Sequence, residues 1–169
     1  MKSVEVRLVG RFRLERKLPG DHERLLYSAV HTQNDSMVFL KGDENKKKNP
    51  PSKLSVLQEG KILQTMQGGI GIPHMHWCGT EEDYSFIVLE ELSSSLKVLL
   101  KKCNNKFSLK TTLLLGIEII SILQYFHFKN FLHCHLKPEH LMMGGGSKYG
   151  KLYIIDYSSA IRYRDGQTL

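Results

Sequence analysis

The chain has 169 residues, with 24 lysines and arginines against 17 aspartates and glutamates and a net charge of +7. At 41% hydrophobic and 24% charged it has the composition of one globular domain able to bury a core, which excludes a fibrous or disordered chain. Three widely spaced cysteines, Cys78, Cys103 and Cys134, argue against a disulfide framework and suit a reducing compartment.

From the N-terminus, residues 1–7 alternate charge with apolar side chains and lack the apolar core of a signal peptide. Residues 4–17 read as strand, 25–31 as a second strand and 37–41 as a third, after a turn at Asn34 and Asp35. Residues 42–51, closed by Pro50 and Pro51, are a loop whose Lys46, Lys47 and Lys48 read as a solvated face. Ser52 can cap a helix to Met66, with Leu54, Leu57, Ile62 and Met66 near helical spacing. Gly60 inside it costs ~1 kcal/mol relative to alanine. The glycine-rich stretch 67–73 ends the helix, and strands at 75–78 and 84–90 are joined by a hairpin turn across 79–83.

A short helix is expected at 96–103. Ser108 then caps a long one to Lys129, with Phe107 placed for a hydrophobic staple. Leu109, Leu113, Ile117, Ile120 and Gln124 share one face, and Leu114, Ile119, Leu123 and Phe126 broaden it, so burial nearly all round is expected. Its most apolar part, 113–126, is too short for a bilayer and carries Glu118. A strand at 141–142, a turn at Gly144, Gly145 and Gly146, and a strand at 152–155 complete an α+β order. The histidine groups, His133, Cys134, His135 and His140 or His74, His76 and Cys78, match no structural-zinc spacing and read as loop and strand residues.

The stretch His133-Cys134-His135-Leu136-Lys137-Pro138-Glu139-His140 keeps the frame of the kinase loop H-R-D-L-x-x-x-N, and Asp156-Tyr157-Ser158 follows at the D-F-G position. Met66-Gln67-Gly68-Gly69-Ile70-Gly71-Ile72-Pro73, Trp77-Cys78-Gly79, Lys106-Phe107-Ser108-Leu109-Lys110-Thr111, Lys129-Asn130-Phe131 and Tyr163-Arg164-Asp165 are more specific. With them the chain resembles the casein kinase I family of serine/threonine protein kinases. The resemblance covers essentially the whole chain. It implies a protein-kinase-like α+β fold: a small lobe and hinge over residues 1–92, with a five-stranded antiparallel sheet and one helix, and the first part of a mainly helical large lobe over 93–169, ending just after the D-F-G position.

Carried over residue by residue, the resemblance implies a degraded active site. The phosphate loop G-x-G-x-x-G, aligned between Leu18 and Tyr27, has Pro19, Asp21 and Arg24 at its glycine positions. Pro19 offers no N–H, and Asp21 and Glu23 bring negative charge towards the phosphates. Lys41 ends Val38-Phe39-Leu40-Lys41, the slot of V-A-I-K, and Glu59 stands where its partner belongs; an ion pair between them would aim the lysine at ATP phosphates. Leu89-Glu90-Glu91-Leu92 falls at the hinge, where Leu92 would offer an N–H to adenine and Leu89 would lie at the back; the same residues also read as a plain strand end.

Lys137 keeps the position that neutralises the transferring phosphoryl group. His135 replaces the base aspartate, and loss of such a base typically costs ~10²–10⁴ in rate. His140 replaces the metal-binding asparagine, a poor exchange for Mg²⁺, which prefers oxygen ligands. Asp156 is then the one Mg²⁺ carboxylate kept, too few for the two-metal arrangement.

Three functions remain open: an inactive pseudokinase that contacts other proteins; a weakly active ATP-dependent serine/threonine kinase using Lys41, Lys137 and Asp156 with His135 as a substitute base; or the product of a decayed gene without a role. ATP binding is expected to be weak and largely independent of Mg²⁺. Protein partners are expected, with no specific nucleic acid and no membrane, in the cytoplasm or nucleus. Without later large-lobe helices to cover it, the 108–129 helix is expected to self-associate or to be held by a chaperone or partner.

Overall fold

The computed structural model describes residues 7–8, 10–18, 24–45 and 54–164. In chain order the elements are β1 (Arg7–Leu8), β2 (Phe12–Lys17), β3 (Leu25–His31), β4 (Met37–Glu44), α1 (Val56–Met66), β5 (Met75–Glu81), β6 (Tyr84–Glu90), β7 (Leu92–Ser95), α2 (Leu96–Lys102), α3 (Leu109–Phe128), β8 (Phe131–Leu132), β9 (Leu141–Gly144), β10 (Leu152–Ile154) and β11 (Ile161–Arg162). The architecture is α+β, as the pattern implied. The main antiparallel sheet runs β1-β2-β3-β4-β6-β5, five long strands plus the two-residue β1, while β10-β9-β7 and β11-β8 form two smaller sheets. Pro19, Asp21, Glu23, Lys46, Lys47, Lys48, Ser52 and Asp165 lie outside the described residues.

Period-2 alternation decides what each sheet face does. On β4, Val38 and Leu40 pack with Phe86 and Val88 of β6, Phe12 of β2 and Ala29 of β3. Phe39 on the opposite face joins Ile87 and Leu89 of β6 in a larger core with α1, α3, β9 and β10. Lys41, two residues after Phe39, falls on that second face and is almost fully buried. Strand bounds differ from expectation mainly at turns. The single strand over 4–17 is broken into a hairpin where Gly10 takes φ 62, a left-handed conformation that glycine enters freely. β4 continues to Glu44, and β5 to Glu81, because the hairpin turn is only Glu82 and Asp83.

α1 begins at Ser55 instead of Ser52, through a capping box: Gln58 N donates to Ser55 Oγ at 3.3 Å, and Ser55 N donates to Gln58 Oε1 at 2.9 Å. Its buried face is Val56, Glu59, Gly60, Leu63 and Met66, so Leu57, taken as apolar lining, is exposed. Gly60, taken as a weakness, lets α1 approach β5 closely: a Cβ there would lie 2.3 Å from Cys78 Sγ.

α3 is buried on one side only, where burial nearly all round was expected. Ile122 and Phe126 are its buried residues, with Leu115, Ile119 and Tyr125 packed beside them. The stripe Leu109, Leu113, Ile117 and Ile120 faces outward, with Ile117 63% and Ile120 68% exposed. A helix apolar on both sides offers no moment from which to choose the inner face. At 20 residues the whole of α3, longer than its most apolar part 113–126, is long and apolar enough to cross a membrane by length and composition alone. Here one side of it lies on the core, and Glu118 Oε2 accepts a hydrogen bond from Leu152 N at 3.2 Å.

The junction of α3 with β10 hinges on Gly71, at φ 67, where a Cβ would lie 2.2 Å from Ile122 Cδ1 and 3.1 Å from Leu152 O. Gly71→Ala meets both a disfavoured backbone and a packed neighbour, so it should cost about 2 kcal/mol. The measure is the urea midpoint; an unchanged midpoint would mean that the junction yields freely.

Candidate active site

The site is built where three buried segments converge. β4 delivers Lys41, and the buried stripe of α1 delivers Glu59, whose carboxylate has no exposure at all. The chain after β10 delivers Asp156. Lys41 Nζ lies 2.6 Å from Glu59 Oε2 and 2.6 Å from Asp156 Oδ1. Arg24, just before β3, reaches the other side of Glu59: its guanidinium lies 2.9 Å from Glu59 Oε1 and 2.5 Å from Asp43 Oδ2, and donates to Leu54 O at 2.7 Å. Asp43 Oδ2 also accepts the first N–H of α1, from Val56 at 3.1 Å, and Tyr157 N donates to Glu59 Oε2 at 3.3 Å. Burial of this kind is tolerable only because each charge is met by an opposite one or an N–H.

Burial is the largest influence on Glu59, Lys41 and Asp156. It pushes Glu59 up from the ordinary carboxylate value, against the pull of Lys41 and Arg24. It also works against the Lys41 ammonium, but Glu59 and Asp156 outweigh it and Lys41 stays charged above its usual value. Asp156, where burial is outweighed by Lys41 and by the bond from His140, is held far below the carboxylate range.

The loop from β8 to β9 supplies the opposite wall. Cys134 takes φ 58, a strained conformation for a residue with a Cβ, and folds the chain so that His135 N donates to His133 O at 2.9 Å. His133 is thereby turned into the core, its ring 5.5 Å from Phe126 and 6.4 Å from Tyr157. Tyr157, at the D-F-G phenylalanine position, is buried, stacks on Phe126 at 5.5 Å and satisfies its hydroxyl on Ile154 O at 3.0 Å. His135 is exposed and Lys137 half-buried. The short 3₁₀ turn at Pro138–His140 returns His140 to the interior, where Nε2 lies 3.0 Å from Asp156 Oδ2 and Nδ1 lies 2.8 Å from His135 O. Both neighbours are acceptors, so both bonds form only when the ring carries two protons.

Between these walls lies a cleft of about 970 Å³, with Leu18, Leu26, Val38, Phe39, Met142 and Ile155 on apolar walls and Lys41, Leu92, His135, Lys137, His140 and Asp156 on the rest. The structure thus brings together Lys41, Glu59 and Asp156 in direct contact and sets Leu92, His135 and Lys137 around the same space. Leu89, expected at the back of the hinge, does not line the cleft; it is buried in the core behind it. Sequence reasoning missed three residues. Arg24 was read only as a lost glycine. His140 was read only as a poor ligand, although its ring bonds Asp156. Phe39 stands where V-A-I-K has alanine, and its ring adds bulk to a cleft wall.

A lysine, a helix glutamate and an aspartate from the far wall, meeting over a cleft, are the shared parts of protein-kinase-like folds. The family model for the protein kinase domain matches residues 24–169, and the chain belongs to that family.

Protein kinases in general use ATP and Mg²⁺. The residues here fit the metal poorly. No group of three or more His, Cys, Asp or Glu side chains among the described residues is arranged to hold a metal ion, and Asp156 is bonded through both oxygens.

Burial pushes the His133 imidazole down to about 4 from its ordinary 6.5, so it is neutral in the fold. Its folded value lies below its unfolded one, so the unfolded chain takes up the proton first and stability falls with pH. The loss starts near 6.5 and levels off below about 4, and in full is on the order of 3 kcal/mol. Urea melts across this window should show it, and His133→Phe should flatten the slope there. A His133→Phe slope equal to that of the wild type would place the dependence elsewhere.

Proposed function

We propose that this chain is a casein kinase I-like protein kinase domain that no longer transfers phosphate and acts by binding other proteins. The observation that carries the silent half of the reading is that Asp156, the carboxylate at the floor of the cleft, is held through both oxygens. Asp156 is held by Lys41 and His140, Glu139 pairs with Lys97 at 2.5 Å, and the Glu91 side chain lies over Gly145 and Gly146. The position that takes a proton from a substrate hydroxyl in the kinase pattern holds the exposed imidazole of His135. Lys41, Lys137 and the hinge around Leu92 support weak ATP binding in the cleft. A residual serine/threonine kinase remains the second reading, favoured by the intact Lys41–Glu59 pair.

The binding half rests on α3. Its outward stripe of Leu109, Leu113, Ile117 and Ile120 is continuous along one face, and apolar patches of this kind on a folded domain mark interaction surfaces or association. The partner is a protein, a chaperone or a second copy of the chain, in the cytoplasm or nucleus.

Radiolabelled phosphate transfer to casein should stay at background. Turnover that disappears in Lys41→Ala would establish the second reading. Purified protein should run larger than a monomer in size-exclusion chromatography with light scattering. Ile117→Lys with Ile120→Lys, both at exposed positions, should return it to monomer without lowering its melting temperature. A monodisperse wild-type monomer would remove the role given to α3.

A further inference from the structure

The contact between His140 and Asp156 does more than remove a ligand. A carboxylate has about four lone-pair sites. Asp156 Oδ1 accepts from Lys41 Nζ at 2.6 Å and from Ser158 N at 3.2 Å, and Oδ2 accepts from His140 Nε2 at 3.0 Å. One site remains, on an oxygen whose approach is shared with the imidazole edge. A magnesium ion needs near-octahedral oxygen ligation at 2.0–2.1 Å, and an N–H directed at the same oxygen opposes it. The His140 ring is itself fixed: it is buried, its Nδ1 is tied to His135 O at 2.8 Å, and its backbone N donates to Lys137 O at 2.9 Å. Asp156 is equally fixed, because Lys41 is held from behind by Glu59, and Glu59 by Arg24.

We infer that His140 is a protein-supplied substitute for the metal. Its ring occupies the coordination position on Asp156, so that divalent cations are excluded and the cleft accepts an anionic ligand such as a nucleoside phosphate in its metal-free form. His140 is therefore the residue that determines metal dependence. This inference concerns the floor of the cleft and stands apart from the role given to α3.

The probe is Mn²⁺ alone, titrated against the full chain and followed by its electron paramagnetic resonance signal. Wild type should show no site that Asp156→Asn removes. His140→Asn restores an oxygen donor of the kind the loop pattern H-R-D-L-x-x-x-N specifies, and should create a Mn²⁺ site at least tenfold tighter than any in the wild type and lost again on adding Asp156→Asn. His140→Gln serves as the second variant, with circular dichroism reporting that each is folded. Melting curves with ATP give an independent reading: any shift in the wild type should be the same in EDTA and in Mg²⁺, while His140→Asn should gain a larger shift in Mg²⁺. An Asp156-dependent Mn²⁺ site in the wild type, or folded His140 variants that gain none, would overturn the inference. If neither variant folds, the wild-type titration alone decides.

Discussion

One buried ion cluster holds this molecule in register. Arg24, Lys41, Asp43, Glu59 and Asp156 are drawn from just before β3, from β4, from α1 and from the chain after β10, and their ion pairs join these separate segments. Each needs the others, because a buried charge left alone costs several kcal/mol and a paired one costs far less. The docking of α1 and the path from β10 into Tyr157 both follow from this requirement. Two cations face three carboxylates, and His140 stands at the open end of the set.

The cluster also reaches α3. Tyr157 N is bonded to Glu59, the Tyr157 ring stacks on Phe126, and Phe126 is the inner anchor of α3, whose outer stripe is exposed. The exposed stripe of α3 is thus joined to the charged floor of the cleft through Phe126 and Tyr157. The link is a packed stack in which each side chain is fixed by its neighbours.

Much of this was legible in the residues, and the gaps have physical reasons. β3 was read to its true ends because an apolar run there is bounded by clear turn residues. Glu59 was readable as a partner for Lys41 because the pattern fixes both. α3 was found, with its cap at Ser108, but it was expected to be buried nearly all round, since apolar residues on both sides leave nothing to phase it. The start of α1 slipped by three residues because Ser52 and Ser55 are both good caps, and only the Gln58 side chain reaching back to Ser55 separates them. Arg24 and His140 escaped notice for a different reason. A template says what should stand at a position, and a substitution then registers as a loss; only side-chain geometry shows that the new group has taken up another bond.

The dispersal of the cluster along the chain makes the domain indivisible. Lys41 and Asp156 are separated by 115 positions in sequence, yet share a hydrogen bond. A break anywhere between α1 and β10 leaves one fragment holding Arg24, Lys41, Asp43 and Glu59 and the other holding Asp156 with both His133 and His140, with His140 alone, or with neither. The first fragment keeps a lysine without its second anion, and the second keeps a carboxylate shaped for a lysine it does not have. Neither half is a smaller version of the whole, so splitting, shuffling or transplanting a lobe of this protein means redesigning its electrostatics and not merely capping a cut end.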